Sequence, residues 1–402
     1  MTDPVIKEDL TDQPDQPTCP PAADYPVCVI HEPFVRITKR GTVTARHKAL
    51  IYLVGFTMAL LVGALLIALI GKNPLAAYVS MATGSFGTKT SAAETFRLAV
   101  PLLIAGVAIA FAFKMRFWNI GGEGQILAGA IFMSHIVVSI INSGTQIAAI
   151  PLHILLILAA ITGGALFGFL PAFFKTKWGT NETLFTLMLN YIAIEYINYL
   201  KNLSSWKPEK TTFPKIINFK NSLGQIVLPK VFGVHIGWIF ALALAVLAFL
   251  YLKKTKHGYE ISVIGDSLNT ARYAGMNTRW IQIRTLLISG ALCGLAGYFQ
   301  VAGADYTLTE TTAGGVGFTA IIVAWMAKLN PFIMIPVSIF IAMLKRGSLS
   351  IQSTMKIPAS AADLLTGIIL FFMLGCELFL EYKLVFRHSQ AKIEKMIEEV
   401  SA

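Results

Sequence analysis

The chain has 402 residues, of which 55% are hydrophobic and only 14% are charged. This composition excludes an ordinary soluble globule, because too few polar side chains are available to cover a surface of that size. The net charge of +11 does not indicate nucleic-acid binding, since the basic residues lie between apolar runs, where positive-inside topology accounts for them. The bilayer is therefore the expected solvent.

The N-terminal segment, residues 1–35, holds seven prolines and seven acidic residues and shows no apolar periodicity. It buries too little apolar surface to offset the entropy of ordering, so we predict a disordered cytoplasmic tail without a signal peptide. Basic residues cluster just before the first apolar run, and because basic residues that flank a span favour the cytoplasmic side, they predict a cytoplasmic N-terminus. They are Arg36, Lys39, Arg40, Arg46 and Lys48.

Uncharged runs of near-bilayer length predict an all-α, polytopic transmembrane helix bundle, since each helix satisfies its own backbone hydrogen bonds. The alternating pattern of a barrel strand is not seen. We predict ten spans within a range of eight to ten. They are residues 49–70, 96–113, 120–142, 147–174, 183–200, 233–252, 284–303, 312–328, 330–345 and 359–380.

An even number of spans returns the C-terminus to the cytoplasm, where the basic residues of the predicted tail, residues 386–402, agree with it. The predicted transmembrane domain is then residues 36–385. Spans eight and nine are short and flanked by glycine or proline, so an alternative in which one of them re-enters the membrane stays open.

Cysteines and glycines in the spans indicate packing. Cys293 and Cys376 lie in apolar runs, whereas Cys19 and Cys28 lack the paired spacing of a zinc site, so we predict neither a disulfide nor a metal. Glycines at helix-packing spacing predict close helix crossings. They are Gly164, Gly168, Gly290, Gly294 and Gly297.

The stretch Phe117-Trp-Asn-Ile-Gly-Gly-Glu-Gly-Gln125 places a carboxylate, two amides and three glycines at the mouth of an apolar helix. An ionisable group is costly there, so Glu123 is interpreted as lining a polar path or as fixing a broken helix. In the second case it accepts hydrogen bonds from main-chain groups that glycines leave free. Both interpretations stay open.

A second polar entry precedes the fifth span. Asn181 has the position of a helix N-cap, and Asn190 lies within the apolar run, where a buried amide needs partners. Such polar groups, together with aromatic neighbours, are the candidates for lining a translocation path. The predicted path residues are Asn119, Glu123, Gln125, Phe185, Asn190 and Phe299.

Between spans six and seven lies a long polar stretch, residues 253–284, on the predicted cytoplasmic side. Within it, Leu268 to Ala274 is predicted to form a short helix that Gly275 ends. This helix either docks on a partner or belongs to an ordinary solvated loop.

Four ordered motifs resemble the branched-chain amino acid, ribose and nucleoside permease family of ABC importers, nearest its nucleoside-type branch. The resemblance covers residues 45–385. The motifs are Asn119-Ile-Gly-Gly-Glu-Gly-Gln125, Asn181-Glu-Thr with Met188-Leu-Asn-Tyr191, Ala271-Arg-Tyr-Ala-Gly275, and Gly315-Val-Gly-Phe-Thr-Ala-Ile-Ile-Val-Ala324 with Asn330-Pro331.

The resemblance implies a permease subunit that pairs with a second permease and with two cytoplasmic ATP-binding cassette domains, fed by an extracytoplasmic substrate-binding lipoprotein. A heterodimer is expected, and the alternative of a homodimer stays open. ATP and Mg²⁺ are then used by the partners. The segment 84–90 places its glycines too close together for a phosphate-binding loop, which agrees. The resemblance assigns the coupling helix to Leu268, Asn269, Ala271, Arg272 and Gly275.

Two rival classes remain. A secondary transporter or channel would couple through intramembrane charges, and the candidates, chiefly Glu195 and Asp363 with His153 and His235, are scattered. An intramembrane enzyme would need clustered catalytic groups, and neither G-x-S-x-G nor H-E-x-x-H occurs, so no catalytic residue is predicted.

The expected function is uptake across a bacterial inner membrane by alternating access, with both termini in the cytoplasm. The resemblance places nucleosides first as solutes, with riboflavin and simple sugars behind them.

Overall fold

The computed structural model describes residues 35–39, 44–208, 211 and 213–386. Two compact units are distinguished. The larger, Val43–Leu380, holds the helical bundle, and the smaller includes a two-stranded antiparallel ladder that joins β1 (Val35–Lys39) to β4 (Tyr382–Phe386). The predicted tails, residues 1–35 and 386–402, lie outside the described residues except for Val35 and Phe386, which end these strands.

The bundle is almost entirely helical, as predicted. A second small ladder pairs β2 (Lys230–Val231) with β3 (Val234–His235). The helices in chain order are α1 (Ala45–Leu69), α2 (Pro74–Phe86), α3 (Lys89–Lys114), α4 (Gly122–Ser143), α5 (Ala149–Trp178), α6 (Glu182–Leu200), α7 (Phe219–Ser222), α8 (Gly237–Lys254), α9 (Lys256–Asp266), α10 (Leu268–Tyr273), α11 (Thr278–Gln300), α12 (Val316–Met326), α13 (Pro331–Met355) and α14 (Ala359–Glu381).

Eight of the described helices are long and apolar enough to cross a membrane, namely α1, α3, α4, α5, α8, α11, α13 and α14. Each lies at a predicted span. The other two predicted spans, 183–200 and 312–328, correspond to α6, which falls outside this set, and to α12, which has only 11 residues. The number of helices that cross stays a prediction.

Helix α3 lies at the centre of the bundle. In its apolar segment 83% of the residues are buried, against 17% in that of α1. A helix that is apolar on every side is stable only where protein or lipid surrounds it. Protein therefore encloses α3, whereas α1 exposes its apolar side chains at the periphery.

Glycines bring α5 and α11 into close contact. A Cβ atom added at Gly164 would overlap the main-chain oxygen of Gly290, and one added at Gly294 would overlap that of Ala160. Such approach strengthens dispersion contacts where lipid supplies no hydrophobic drive between helices. The predicted packing role of these glycines is confirmed.

Candidate functional site

The break between α3 and α4 is organised by two buried amide side chains. Asn119 Oδ1 accepts a hydrogen bond of 3.0 Å from the Gly121 amide, and the Asn119 and Gln125 side chains bond each other at 3.2 and 3.3 Å. Both are buried, so their polar atoms need these partners. The pair holds the chain in position as it enters α4.

Helix α6 ties itself to the same break through one side chain. Asn190 Oδ1 accepts a 2.7 Å hydrogen bond from the Gly124 amide, and its Nδ2 donates at 3.0 Å to the Ile120 carbonyl. A Cβ added at Gly124 would lie only 2.9 Å from Asn190 Cα, so glycine is needed for this approach. Asn190 therefore satisfies main-chain groups that the break leaves free.

Glu123 joins α4 to the start of α12. Its carboxylate oxygens accept hydrogen bonds of 2.8 Å each from the amides of Gly315 and Gly317. Gly314 and Gly315 have φ values of +55° and +72°, which favour glycine and turn the chain into α12. Two interpretations of Glu123 were open, and this geometry agrees with the one in which its carboxylate accepts hydrogen bonds from glycine amides.

One further charge lies at this point. The Lys345 ammonium on α13 donates a 3.2 Å hydrogen bond to the Gly314 carbonyl, next to the amides that Glu123 binds. The start of α12 is thus held by the Glu123 carboxylate on its amides, which the helix dipole favours, and by the Lys345 ammonium on the preceding carbonyl oxygen. We call Asn119, Glu123, Gln125, Asn190 and the first turn of α12 the junction.

The two aromatic residues predicted for the path lie elsewhere. The Phe185 ring is 5.0 Å from that of Phe174 on α5, centroid to centroid. The Phe299 ring, on α11, stacks at 6.1 Å on His235. The structure brings four of the six predicted path residues together, and their assignment to the path stays a prediction.

The sequence missed the partners that the junction uses on other helices. Glu123 and the Gly315-Val-Gly317 stretch belong to two of the four family motifs, but nothing local in the sequence connects them, and nothing pairs Lys345, at the end of the predicted ninth span, with the Gly314 carbonyl. One sequence feature hinted at the contact between α4 and α12: each helix begins with two glycines separated by one residue, Gly122 and Gly124 in α4 and Gly315 and Gly317 at α12. Two helix starts that approach closely both need small residues.

The short helix predicted after the sixth span is present as α10. Ser267 Oγ caps it by accepting from the Thr270 amide at 3.2 Å, and Gly275 follows it with a φ of +73°. Ala271, assigned to the coupling surface, is buried, whereas Tyr273 is 92% exposed. A contact with another subunit here would use Tyr273 and exclude the side chain of Ala271.

An ion pair fastens this polar segment to the bundle. Arg284 Nη2 on α11 lies 2.9 Å from Glu260 Oε2 on α9, and His257 Nδ1 lies 3.3 Å from the same oxygen. Partial burial acts to raise the pKa of Glu260, but the hydrogen bonds from Arg284 and His257 outweigh it and hold this pKa below its usual value. Motion of α9 and α10 is thereby linked to α11.

The junction contains hydrogen-bond acceptors and donors that main-chain groups already use, so it is suited to positioning helices. Among the residues that the structure describes, no group of three His, Cys, Asp or Glu side chains could hold a metal ion. The two described cysteines, Cys293 and Cys376, are buried.

Residues 91–374 match the family model described as branched-chain amino acid transport system / permease component. The chain is similar to the glucose ABC transporter permease protein TsgB13 of Haloferax volcanii, at 28% identity over 81% of this chain and 87% of that protein. It is similar to the guanosine ABC transporter permease protein NupP of Bacillus subtilis, at 31% identity over 81% of this chain and 92% of that protein.

A second protein of Bacillus subtilis, the guanosine ABC transporter permease protein NupQ, is 28% identical over 59% of this chain and 75% of its own length. Two permeases of one organism, named for the same solute, are therefore both similar to this chain.

Proposed function

The chain belongs to the permease-component family of branched-chain amino acid transport systems, and from that premise we propose that it carries nucleosides. It is the membrane permease subunit of an ATP-binding-cassette importer, a transport component and not an enzyme. The observation that carries the nucleoside proposal is the 31% identity to a guanosine permease over 81% of this chain.

A simple sugar is the second candidate solute. It rests on the 28% identity to a glucose permease over 81% of this chain. Vicinal hydroxyl groups are present both in glucose and in the ribose of a nucleoside, so both candidates predict a route that recognises vicinal hydroxyls. They differ in whether the route also accommodates a flat base.

A permease of this family works with ATPase and substrate-binding partners. We propose a heterodimer with a related permease, two ATP-binding cassette domains that use ATP and Mg²⁺, and an extracytoplasmic lipoprotein that delivers the solute. The similarity to both NupP and NupQ of one organism supports pairing with a non-identical permease.

The exposed side of α10 is proposed as the contact with the ATPase. A largely exposed tyrosine, Tyr273, stands beside Asn269 and Arg272, which are exposed as well. Aromatic and arginine side chains are enriched in interface centres. Arg284 on α11 is paired with Glu260 on α9, so a displacement of α9 and α10 by the ATPase would also displace α11.

The junction is proposed to frame the translocation path. Glu123 and Asn190 hold α4, α6 and α12 at one point, so a shift of α12 relative to α4 would open or close space beside them. The wider set proposed for the path is Asn119, Glu123, Gln125, Phe185, Asn190 and Phe299.

We propose a bacterial cytoplasmic membrane as the location, with both termini and α9–α10 in the cytoplasm, since basic residues flank these segments. A cysteine in place of Leu268 should resist an impermeant thiol reagent applied to intact cells and react in inverted vesicles. Labelling from outside intact cells would refute this orientation.

The solute proposal is tested with the whole complex in proteoliposomes. We expect ATP-dependent uptake of labelled guanosine that excess adenosine or uridine reduces and excess glucose does not. Uptake of glucose with no uptake of guanosine would replace the nucleoside with the sugar. Guanosine uptake without ATP hydrolysis would contradict the importer mechanism.

A further inference from the structure

Helix α6 has two faces of different character. Its buried face packs into the bundle and includes Thr186, Leu189, Asn190, Ala193, Ile197 and Leu200. On the opposite face Tyr191, Glu195 and Tyr199 are exposed. Residues four apart lie above one another on a helix, so these three side chains form one row, which we call the α6 stripe.

The position of Glu195 restricts what the stripe can face. Glu195 lies thirteen residues after Glu182, where α6 begins. At about 1.5 Å per residue it is about 20 Å from the start of α6 and about 8 Å from its end at Leu200, which places it within a hydrocarbon core of about 30 Å if α6 crosses the membrane as predicted. A carboxylate at that depth is costly in lipid. The stripe therefore faces water or another protein surface.

A series of polar contacts leads from Glu195 toward the end of α6. Asn198 Nδ2 lies 3.3 Å from Glu195 Oε2, and Lys201 Nζ lies 3.4 Å from Asn198 Oδ1. Lys201 also pairs with Glu310 in the segment before α12. The polar residues within α6, among them Asn190, Glu195 and Asn198, agree with its absence from the set of strongly apolar helices. This series of contacts suits a hydrated route better than a lipid-facing surface.

Tyrosine residues flank Glu195 along α6. The ring centroids of Tyr196 and Tyr199 are 6.2 Å apart, and the Tyr196 hydroxyl lies 3.2 Å from His135 Nε2 on α4. Tyr196 also lines a cavity of about 470 Å³ between α4, α5 and α6, which lies on the neighbouring face of α6 and is not lined by Tyr191, Glu195 or Tyr199.

We propose that the α6 stripe lines the route of a ribonucleoside, with the Glu195 carboxylate accepting hydrogen bonds from the ribose 2′ and 3′ hydroxyls. An ionised carboxylate offers two acceptor oxygens, which match two adjacent hydroxyl donors. The Tyr191 and Tyr199 rings pack against the flat base, a contact that tolerates different bases. The inference rests on the nucleoside proposal and adds the residues that recognise the sugar.

The first experiment compares two solutes in the reconstituted complex. We expect Glu195→Gln to lower guanosine uptake about tenfold, because one charge-assisted hydrogen bond is lost. Uptake of 2′,3′-dideoxyguanosine, which lacks both hydroxyls, should change little, so the ratio of the two rates falls. Glu94→Gln, which removes a carboxylate at the start of α3, is the matched control and should leave the ratio unchanged. An unaltered ratio in Glu195→Gln would overturn the proposal.

The second experiment measures water access without depending on transport. Tyr191→Cys and Tyr199→Cys should react with a charged methanethiosulfonate and be protected by guanosine, whereas Leu158→Cys, on the exposed face of α5, should not react. A stripe that stays unlabelled, or that cross-links to the second permease instead, belongs to lipid or to the subunit interface, and the proposal falls.

The two experiments separate this inference from the function on which it rests. An unmodified complex that hydrolyses ATP and takes up glucose but no guanosine refutes the nucleoside proposal, and the ribose assignment falls with it. An unmodified complex that takes up guanosine, with an unlabelled stripe and an unaltered uptake ratio, refutes this inference alone.

Discussion

Glu123 and Gly317 are 194 residues apart in the chain, and the Glu123 carboxylate accepts a 2.8 Å hydrogen bond from the Gly317 amide. The other carboxylate oxygen accepts from Gly315. Amides in the first turn of a helix have no partner within it, so a side chain of α4 caps α12. The negative charge also meets the positive end of the α12 dipole.

This relationship predicts the effect of Glu123→Gln. The amide keeps the shape but offers one acceptor oxygen and turns an NH₂ group toward a backbone donor, so we expect a loss of about 2 kcal/mol of stability. Thermal unfolding of the purified complex would measure it, with Glu94→Gln as the control. A Glu123→Gln complex of unchanged stability and full transport rate would contradict both the capping role and a role in the path.

Asn190 can be divided into its two contacts. Asn190→Asp keeps the acceptor for the Gly124 amide and loses the donor to the Ile120 carbonyl, whereas Asn190→Leu loses both. Each buried group left without a partner costs about 1–3 kcal/mol. Asp in addition buries a carboxylate opposite the Ile120 carbonyl, so we expect both variants to assemble less than the native chain, measured as the yield of monodisperse complex. Equal yields for Leu and native would show that the break holds without Asn190.

The crossing of α5 and α11 predicts a difference between two glycines. Gly294→Ala places a methyl group against the Ala160 carbonyl oxygen, so the helices must separate, at a cost of about 2–3 kcal/mol. Gly367→Ala, on α14, meets no atom within 4 Å and is the matched control. Melting temperatures should fall for the first variant only, and a similar fall for both would argue against a specific crossing.

The coupling surface predicts that Tyr273→Ala lowers the amount of ATPase retained on the purified permease, by about tenfold for a central interface aromatic. Phe232 is also 92% exposed, at the turn between β2 and β3, and Phe232→Ala is the control. Ala271 is unsuitable for this test, because its side chain is buried and a large substitution would disturb the fold itself. If the Tyr273→Ala and Phe232→Ala permeases retain equal amounts of ATPase, the proposed contact between α10 and the ATPase is refuted.

His235 predicts a dependence of stability on pH. Burial, with the nearby charges of Arg97 and Lys230, lowers the pKa of His235 to about 4. The unfolded chain then binds more protons than the folded one between about pH 4 and 6.5, so stability falls as the pH falls through this window. We expect about 2 kcal/mol less stability from this residue at pH 5 than at pH 7.5.

The variant His235→Gln tests this origin. Unfolding temperatures of the native and variant complexes, followed from pH 7.5 to 5, should converge or cross as the pH falls, since the variant lacks the titrating group. Parallel curves over the whole range would assign the acid sensitivity to other residues.

Several features were predictable from the sequence because they depend on neighbours along the chain. Uncharged runs predicted the eight strongly apolar helices. Asn181 was correctly predicted to be the N-cap of α6, since its Oδ1 accepts a 3.0 Å hydrogen bond from the Thr183 amide. Glycine spacing marked the crossing of α5 and α11, and Gly275 marked the end of α10. Hydropathy, caps and turn residues act within a few positions, so one sequence is enough to find them.

The tertiary structure decided what each polar group meets. The sequence by itself determined a membrane-embedded helical bundle with a costly carboxylate at Glu123, but the two amides that satisfy this carboxylate come from α12, which packs against α4 only in the folded chain. The burial of Ala271 and the exposure of Glu195 were likewise settled by which face of each helix meets its neighbours. Sequence periodicity defines the faces of a helix, and only packing against the other helices selects which of them is buried.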